Sequence, residues 1–210
     1  MQHNLFFSPY RNERLDKIYN LQFCDIVELL EPELSQRHLL CKLVKQELTQ
    51  GVLQSLAMSG DEDARVRILA FNQMRQQTLP VPLKILLGVI IEVGLAEGLE
   101  TLAVFEDEKV RYISAEKRLA VVESPTPPME LLIHKLLRDS QKIINGLSPC
   151  TEARHHPPTF GRARFTFIAS DGIYLGEGQF KTMQANPQAA ELIDDALDLL
   201  HEIIMTGSTH

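Results

Sequence analysis

The stretch Ala163–Phe180, ARFTFIASDGIYLGEGQF, constrains the fold most, because it has the pattern of one β-hairpin with glycines along a single face. Asp171-Gly172 between alternating apolar residues is a strong two-residue turn signal. With that pair as the turn, Ser170 faces Ile173 and Ile168 faces Leu175. Phe167 then falls opposite Gly176, and Phe165 opposite Gly178. A ring lying over a bare glycine on the neighbouring strand covers exposed backbone, which explains how two glycines sit inside one strand. Glu177 lies between them on the other face, across from Thr166.

The rest of the sheet is predicted from residue 83 onward. Lys84–Gly94 (KILLGVIIEVG) is rich in β-branched residues and apolar on both faces, the signature of a central strand covered on both sides. Glu100–Glu106, Val110–Ser114 and Arg118–Glu123 continue as a meander, and Ser124–Pro128 is a rigid connection. Met129–Asn145 has a helical stripe of Met129, Leu132, Ile133, Leu136, Leu137, Ile143 and Ile144, with Gly146 placed to end it. A last helix, Pro187–Met205, buries Leu192, Ile193, Ala196, Leu199, Leu200, Ile203 and Ile204. Its other face carries Glu191, Asp194, Asp195, Asp198 and Glu202, a solvated surface or a docking face for a basic partner.

The first 80 residues carry helical periodicity and caps. Ser8-Pro9 starts a helix with a stripe of Leu15, Ile18 and Tyr19. Asp25 and Glu28 fit a cap for a short helix ending at Pro32. Leu39, Leu40, Leu43, Val44, Leu48, Val52 and Leu56 form a longer stripe, and Ser59-Gly60-Asp61-Glu62 caps a helix running to about Gln77. Pro80 and Pro82 close this region. The expected organisation is a helical region at 1–80, a domain at 81–205 and a frayed tail at 206–210. The fold class is α+β, an antiparallel sheet in the order β-β-β-β-α-β-β-α with helices packing on it. The two-sided strand requires cover on its second face, from the N-terminal helices or from a second copy of the chain.

Composition narrows the function classes. The formal charge of −7, with scattered lysines and arginines, excludes a non-specific nucleic-acid binder. The longest apolar run, Ile85–Ile91, is far short of the ~20 residues of a membrane span. The start has no signal-peptide pattern, and Cys24, Cys41 and Cys150 show no paired spacing, so reduced thiols in a cytoplasmic protein are expected.

Candidate ligand-binding residues are Glu92, Tyr112, Gly176, Glu177 and Gly178. Glu92 interrupts an apolar strand, and a buried carboxylate needs a partner or a raised pKa. In the sequence-derived register it shares a face with Leu102, Val104 and Tyr112, making Tyr112 its donor; the simpler reading is a strand-end carboxylate reaching solvent beside Gly94. Gly176-Glu177-Gly178 lacks the following helix that a phosphate cradle needs, so structural glycines are the simpler reading there. His155-His156 before Pro157-Pro158 has no metal-ligand frame around it, and no metal or cofactor is expected. No Ser, Cys or Thr stands in a recognisable nucleophile motif.

The segments Arg65–Arg75 (RVRILAFNQMR), Val81–Leu95 (VPLKILLGVIIEVGL), Arg111–Ser114 (RYIS) and Ser170–Phe180 (SDGIYLGEGQF) carry a resemblance, over about Asp61–Phe180, to a family of bacterial proteins without assigned function. That resemblance implies a bacterial cytoplasmic protein and supplies no catalytic residue. The element order is also similar to antiparallel scaffolds of the profilin or roadblock kind, which mostly bind proteins or small ligands. Three functions follow. The leading one is a non-enzymatic interaction or regulatory module with a protein partner or self-association. The second is a small-molecule binding domain with a pocket near Glu92 and the glycine hairpin. The third is an acid/base enzyme built on Glu92 with Glu177 or His156.

Overall fold

The computed structural model describes residues 6–26, 29, 42–43, 45–152 and 154–207. Six helices and six strands are found among them: α1 Glu13–Leu21, α2 Gln50–Met58, α3 Ala64–Gln76, β1 Leu86–Gly94, β2 Leu99–Phe105, β3 Val110–Ile113, β4 Leu119–Val122, α4 Pro127–Asn145, β5 Arg162–Ala169, β6 Gly172–Gln179, α5 Phe180–Ala185 and α6 Pro187–Met205. The strands make one antiparallel sheet in the order β4-β3-β2-β1-β5-β6, with β1 in the middle. This is the α+β order that the sequence predicts.

Both faces of β1 are apolar, and each has its own core. Leu87, Ile90, Ala103, Phe105, Ile113 and Ile168 pack under the N-terminal helices, against Tyr19, Leu53, Ile68 and Phe71. Val89, Ile91, Leu102, Val104, Phe165 and Phe167 pack under α4 and α6, against Ile133, Leu136, Leu192 and Leu199. The result is three layers, with the N-terminal helices on the second face. A β-bulge between Leu86 and Gly88 resets the alternation, so Leu87 and Ile90 share a face.

Local chemistry moves several helix boundaries. Asn12, not Ser8, caps α1 by accepting from the Leu15 N–H at 3.1 Å. Asp63 caps α3 by accepting from the Arg65 N–H at 2.9 Å. Residues 47–49 are not helical, so the expected long stripe is broken just before α2. Leu39, Leu40, Val44, most of the expected short helix ending at Pro32, and the last three residues of the expected tail lie outside the described residues. Gly146 ends α4 with φ −91, without the left-handed geometry expected of it. Helix α5 was not anticipated; it follows β6 directly and lays Met183 over the sheet.

The hairpin closes one residue earlier than the sequence predicts. Ala169 pairs with Gly172, so the turn is Ser170-Asp171, and Phe165 rather than Phe167 lies opposite Gly176. Long-range bonds fix this. The Ser170 hydroxyl donates to the Pro82 carbonyl at 2.6 Å and accepts from the Ile85 N–H at 3.0 Å, while Arg75 donates to the Ser170 carbonyl at 2.6 Å. Gly172 opens β6 with φ +150, a conformation that favours glycine. In α6, Asp195 is buried between helices, paired with Lys135 of α4 instead of lying on the solvated face, because it adjoins the core positions Leu192 and Ala196. Ile204, expected in the core, is 53% exposed.

Candidate functional site

The predicted site residues divide between the two faces of the sheet. Glu92 pairs with Thr101, and Ile91 with Leu102, so Glu92 faces the N-terminal helices and Tyr112 the opposite layer. The expected Glu92–Tyr112 contact is therefore absent. A one-residue difference in register exchanges the two faces of a strand, and the Leu95–Gly98 turn sets that register here through the Leu95 N–H to Gly98 carbonyl bond at 2.7 Å.

Glu92 is 0% exposed. The Tyr19 hydroxyl, brought over the strand by α1, donates to its Oε1 at 2.7 Å. Arg164, its neighbour on β5, places Nη1 3.7 Å from Oε2. Glu177 follows on β6, accepting from Arg164 Nε at 2.9 Å and from Arg162 Nη2 at 2.9 Å. Glu177 stands opposite Arg164, and not opposite Thr166 as the sequence-derived register has it. A carboxylate–guanidinium–carboxylate row thus crosses three strands. Burial pushes the Glu92 carboxyl up, against the Tyr19 hydrogen bond and the Arg164 charge. Burial also acts upward on Glu177, but Arg162 and Arg164 outweigh it and hold that carboxyl below its usual range.

The row fastens the segment preceding β5. Arg164 donates to the His155 and His156 carbonyls at 3.2 and 2.6 Å. Arg154 lies over the rings of Phe7 and Phe23, at 5.0 and 4.1 Å, with Asp25 Oδ2 3.0 Å from its Nε. Gly94 admits the same segment at the end of β1, where a Cβ would stand 2.2 Å from the Thr159 carbonyl oxygen. His156 contributes its carbonyl here, while its ring lies tilted against Phe7, with centroids 4.7 Å apart. Glu92, Glu177 and His156 therefore act as a clamp, and they do not converge on a cavity with Tyr112.

The opposite face holds a cleft. A cavity of about 150 Å³ opens between α6 and the sheet, with Ile91, Leu102, Phe165, Ile193 and Leu200 in its wall and Phe180 of α5 at its side. Tyr112 and Glu100 form its polar edge, the Tyr112 hydroxyl donating to Glu100 Oε1 at 3.1 Å. Burial raises the Tyr112 phenol, and the Glu100 charge and hydrogen bond add to this, so it stays a donor. Leu95, Glu100 and Tyr112 also line a wider groove of about 290 Å³ that continues toward Glu97, Arg118 and Ile204. On the lip stand Leu197 (54% exposed) and Ile204.

Gly176 and Gly178 support this face from beneath. A Cβ on Gly178 would meet Met183 Cγ at 3.4 Å, and one on Gly176 would meet Phe165 Cδ2 at 4.0 Å. They give α5 and Phe165 their seats, and through Phe165 they shape the cleft wall. Phe180, Leu197 and Ile204 are not among the site residues expected from the sequence. The available signal was the seven-residue spacing of Leu197 and Ile204, a second apolar line on α6.

Among the described residues no group of three or more His, Cys, Asp or Glu is arranged to hold a metal, and no helix is long and apolar enough to cross a membrane. Cys24 is buried, which pushes its thiol up to about 12, while Cys41 lies outside the described residues. No protein-family model matches the chain, and no curated protein or solved structure shows significant similarity to it.

Proposed function

We propose that this chain is a non-enzymatic binding module whose contact surface is the cleft between α6 and the sheet, with the lip formed by Leu197 and Ile204. One observation carries the reading: an apolar cavity with a single polar pair at its edge opens beside large apolar side chains left in solvent. Concave apolar walls with few polar groups suit binding. The ionisable groups buried on the other face are engaged in holding the chain together.

A photo-crosslinking side chain at position 197 tests this in cells that make the protein naturally. Position 131 is the control, since Leu131 is 73% exposed but belongs to α4, away from the cleft. Adducts from 197 and not from 131, whether to another protein or to a second copy, support the reading. Equal adducts from both positions, or none from 197, oppose it. A small amphipathic molecule is the second reading, favoured by the Tyr112–Glu100 pair in an otherwise apolar wall.

A further inference from the structure

The cleft's charge surroundings say more than its shape. Glu97 and Glu100 line the groove that continues from the apolar cavity, and neither has a cationic partner among the described residues. The arginine of the groove, Arg118, lies 3.0 Å from Glu116 and is neutralised by it. Beside the lip, Asp194 and Asp198 of α6 are exposed, again without a cationic partner among the described residues. The apolar cavity thus has carboxylates without a cationic partner on two sides, Glu97 and Glu100 on one and Asp194 and Asp198 on the other, against one exposed lysine, Lys181, next to Phe180 at its side. Such a field attracts cations and repels anions, over a range set by salt.

Resting on the binding-module reading, we infer that the occupant is a protein segment carrying one bulky apolar side chain flanked by lysine or arginine. The apolar side chain enters the 150 Å³ cavity against Ile91, Leu102 and Phe165. One flanking cation lies over Glu97 and Glu100, and the other faces Asp194 and Asp198. The free lone pairs of Glu100 fit this role, since Tyr112 engages only Oε1 from the side of the sheet. An extended segment suits the site, because alternate side chains then reach the cavity and its flanks in turn.

The test uses the full chain with labelled Ile, Leu, Val and Met methyl groups, titrated with three short capped peptides. One has phenylalanine with a lysine two positions before it and another two positions after it, one has phenylalanine with glutamates at those two positions, and one has alanine with the two lysines, so that the three side chains share one face of an extended chain. The lysine–phenylalanine peptide is expected to shift the methyls of Ile91, Leu102, Leu197 and Leu200. It should bind at least about tenfold tighter than the glutamate peptide at low salt, narrowing to about threefold or less near 0.5 M salt. Alanine in place of phenylalanine should abolish the shifts. The doubly substituted Glu97→Gln, Glu100→Gln protein should lose most of the discrimination and stay folded, since the side-chain amide at position 100 keeps a carbonyl that accepts from Tyr112.

Equal binding of the lysine and glutamate peptides would overturn the charge assignment and leave the cleft as the binding surface. Shifts with octylammonium but with no peptide would overturn the protein segment in favour of a small amphipathic cation. No shift with any probe overturns the inference, and the crosslinks at position 197 then judge the binding-module reading separately.

Discussion

Replacing Arg164 by Met should expose what the buried row on the N-terminal face contributes. In the native protein Arg164 Nη1 stands 3.7 Å from a carboxylate that is 0% exposed. At an effective dielectric near 20, that separation corresponds to about 4 kcal/mol of attraction, offset by several kcal/mol of desolvation for each ion. The pair's net value is therefore small. Removing the arginine alone leaves Glu92 buried without its cation, which typically costs about 3–5 kcal/mol. Two carbonyls, of His155 and His156, also lose their donor. Glu92→Gln should cost less than about 1 kcal/mol, because Arg164 keeps Glu177 and Tyr19 keeps an acceptor. Combining the two should recover about 2 kcal/mol of the Arg164→Met loss.

The pH dependence follows from the raised Glu92 carboxyl. A carboxyl held above its unfolded value opposes folding once the unfolded chain ionises, so this loss grows as pH rises from about 4.5. Without Arg164 the carboxyl rises further, and the Arg164→Met penalty should be larger at pH 8 than at pH 5. Urea unfolding followed by far-ultraviolet circular dichroism at both pH values measures all four proteins. A penalty below about 1 kcal/mol, or one that Glu92→Gln leaves unchanged, would refute the argument.

Further outcomes concern other parts of the fold. Gly94→Ala drives a Cβ against the Thr159 and Pro158 carbonyls and should cost more than about 3 kcal/mol, whereas Gly51→Ala, in a helix with open space around it, should gain up to about 1; thermal unfolding compares them. At Asp63, burial acts upward, but Arg65 and Lys109 outweigh it and hold the carboxyl at about 2. Its stabilisation is fully present above the unfolded value near 4 and is lost as pH falls from there through 2, so Asp63→Ala should cost about 1–2 kcal/mol at pH 7 and about a third of that at pH 2.5 in acid titrations. With Cys41 and Cys150 changed to Ser, the Cys24 thiol should react with a disulfide reagent only as fast as the protein unfolds; rapid labelling under native conditions would contradict its burial.

The sequence carried the layers well and the site poorly, for separate physical reasons. Lys84–Gly94 announced a two-sided central strand because both of its faces are apolar; that demanded cover on the second face, and the N-terminal helices rather than a second copy of the chain supply it. The hairpin's register slipped, but in a way that kept parity: Phe165 and both glycines stay on one face, and Glu177 stays on the other. Asp171-Gly172 is a good local turn, and only the distant hold of Pro82, Ile85 and Arg75 on Ser170 moves it. Between β1 and β2 the error was one residue, which does change faces, so Glu92 and Tyr112 were wrongly placed together. The clamp partners Tyr19, Arg164 and Glu92 lie far apart in the chain, and no local pattern brings them together. Periodicity alone did not separate the cleft lip from the core, since Ile204 lies seven residues after Leu197 but also fits the core stripe of α6, and only its 53% exposure decides between the two.

The most direct test of the central claim is a methyl spectrum recorded under xenon pressure. Xenon enters apolar cavities of this size without needing a polar partner. Shifts concentrated on Ile91, Leu102, Ile193 and Leu200 are predicted, and a large aromatic side chain at Ala196 should remove them. Absence of shifts at those methyls, or shifts spread evenly through both cores, would show that the space between α6 and the sheet is not open to an occupant and would contradict the account.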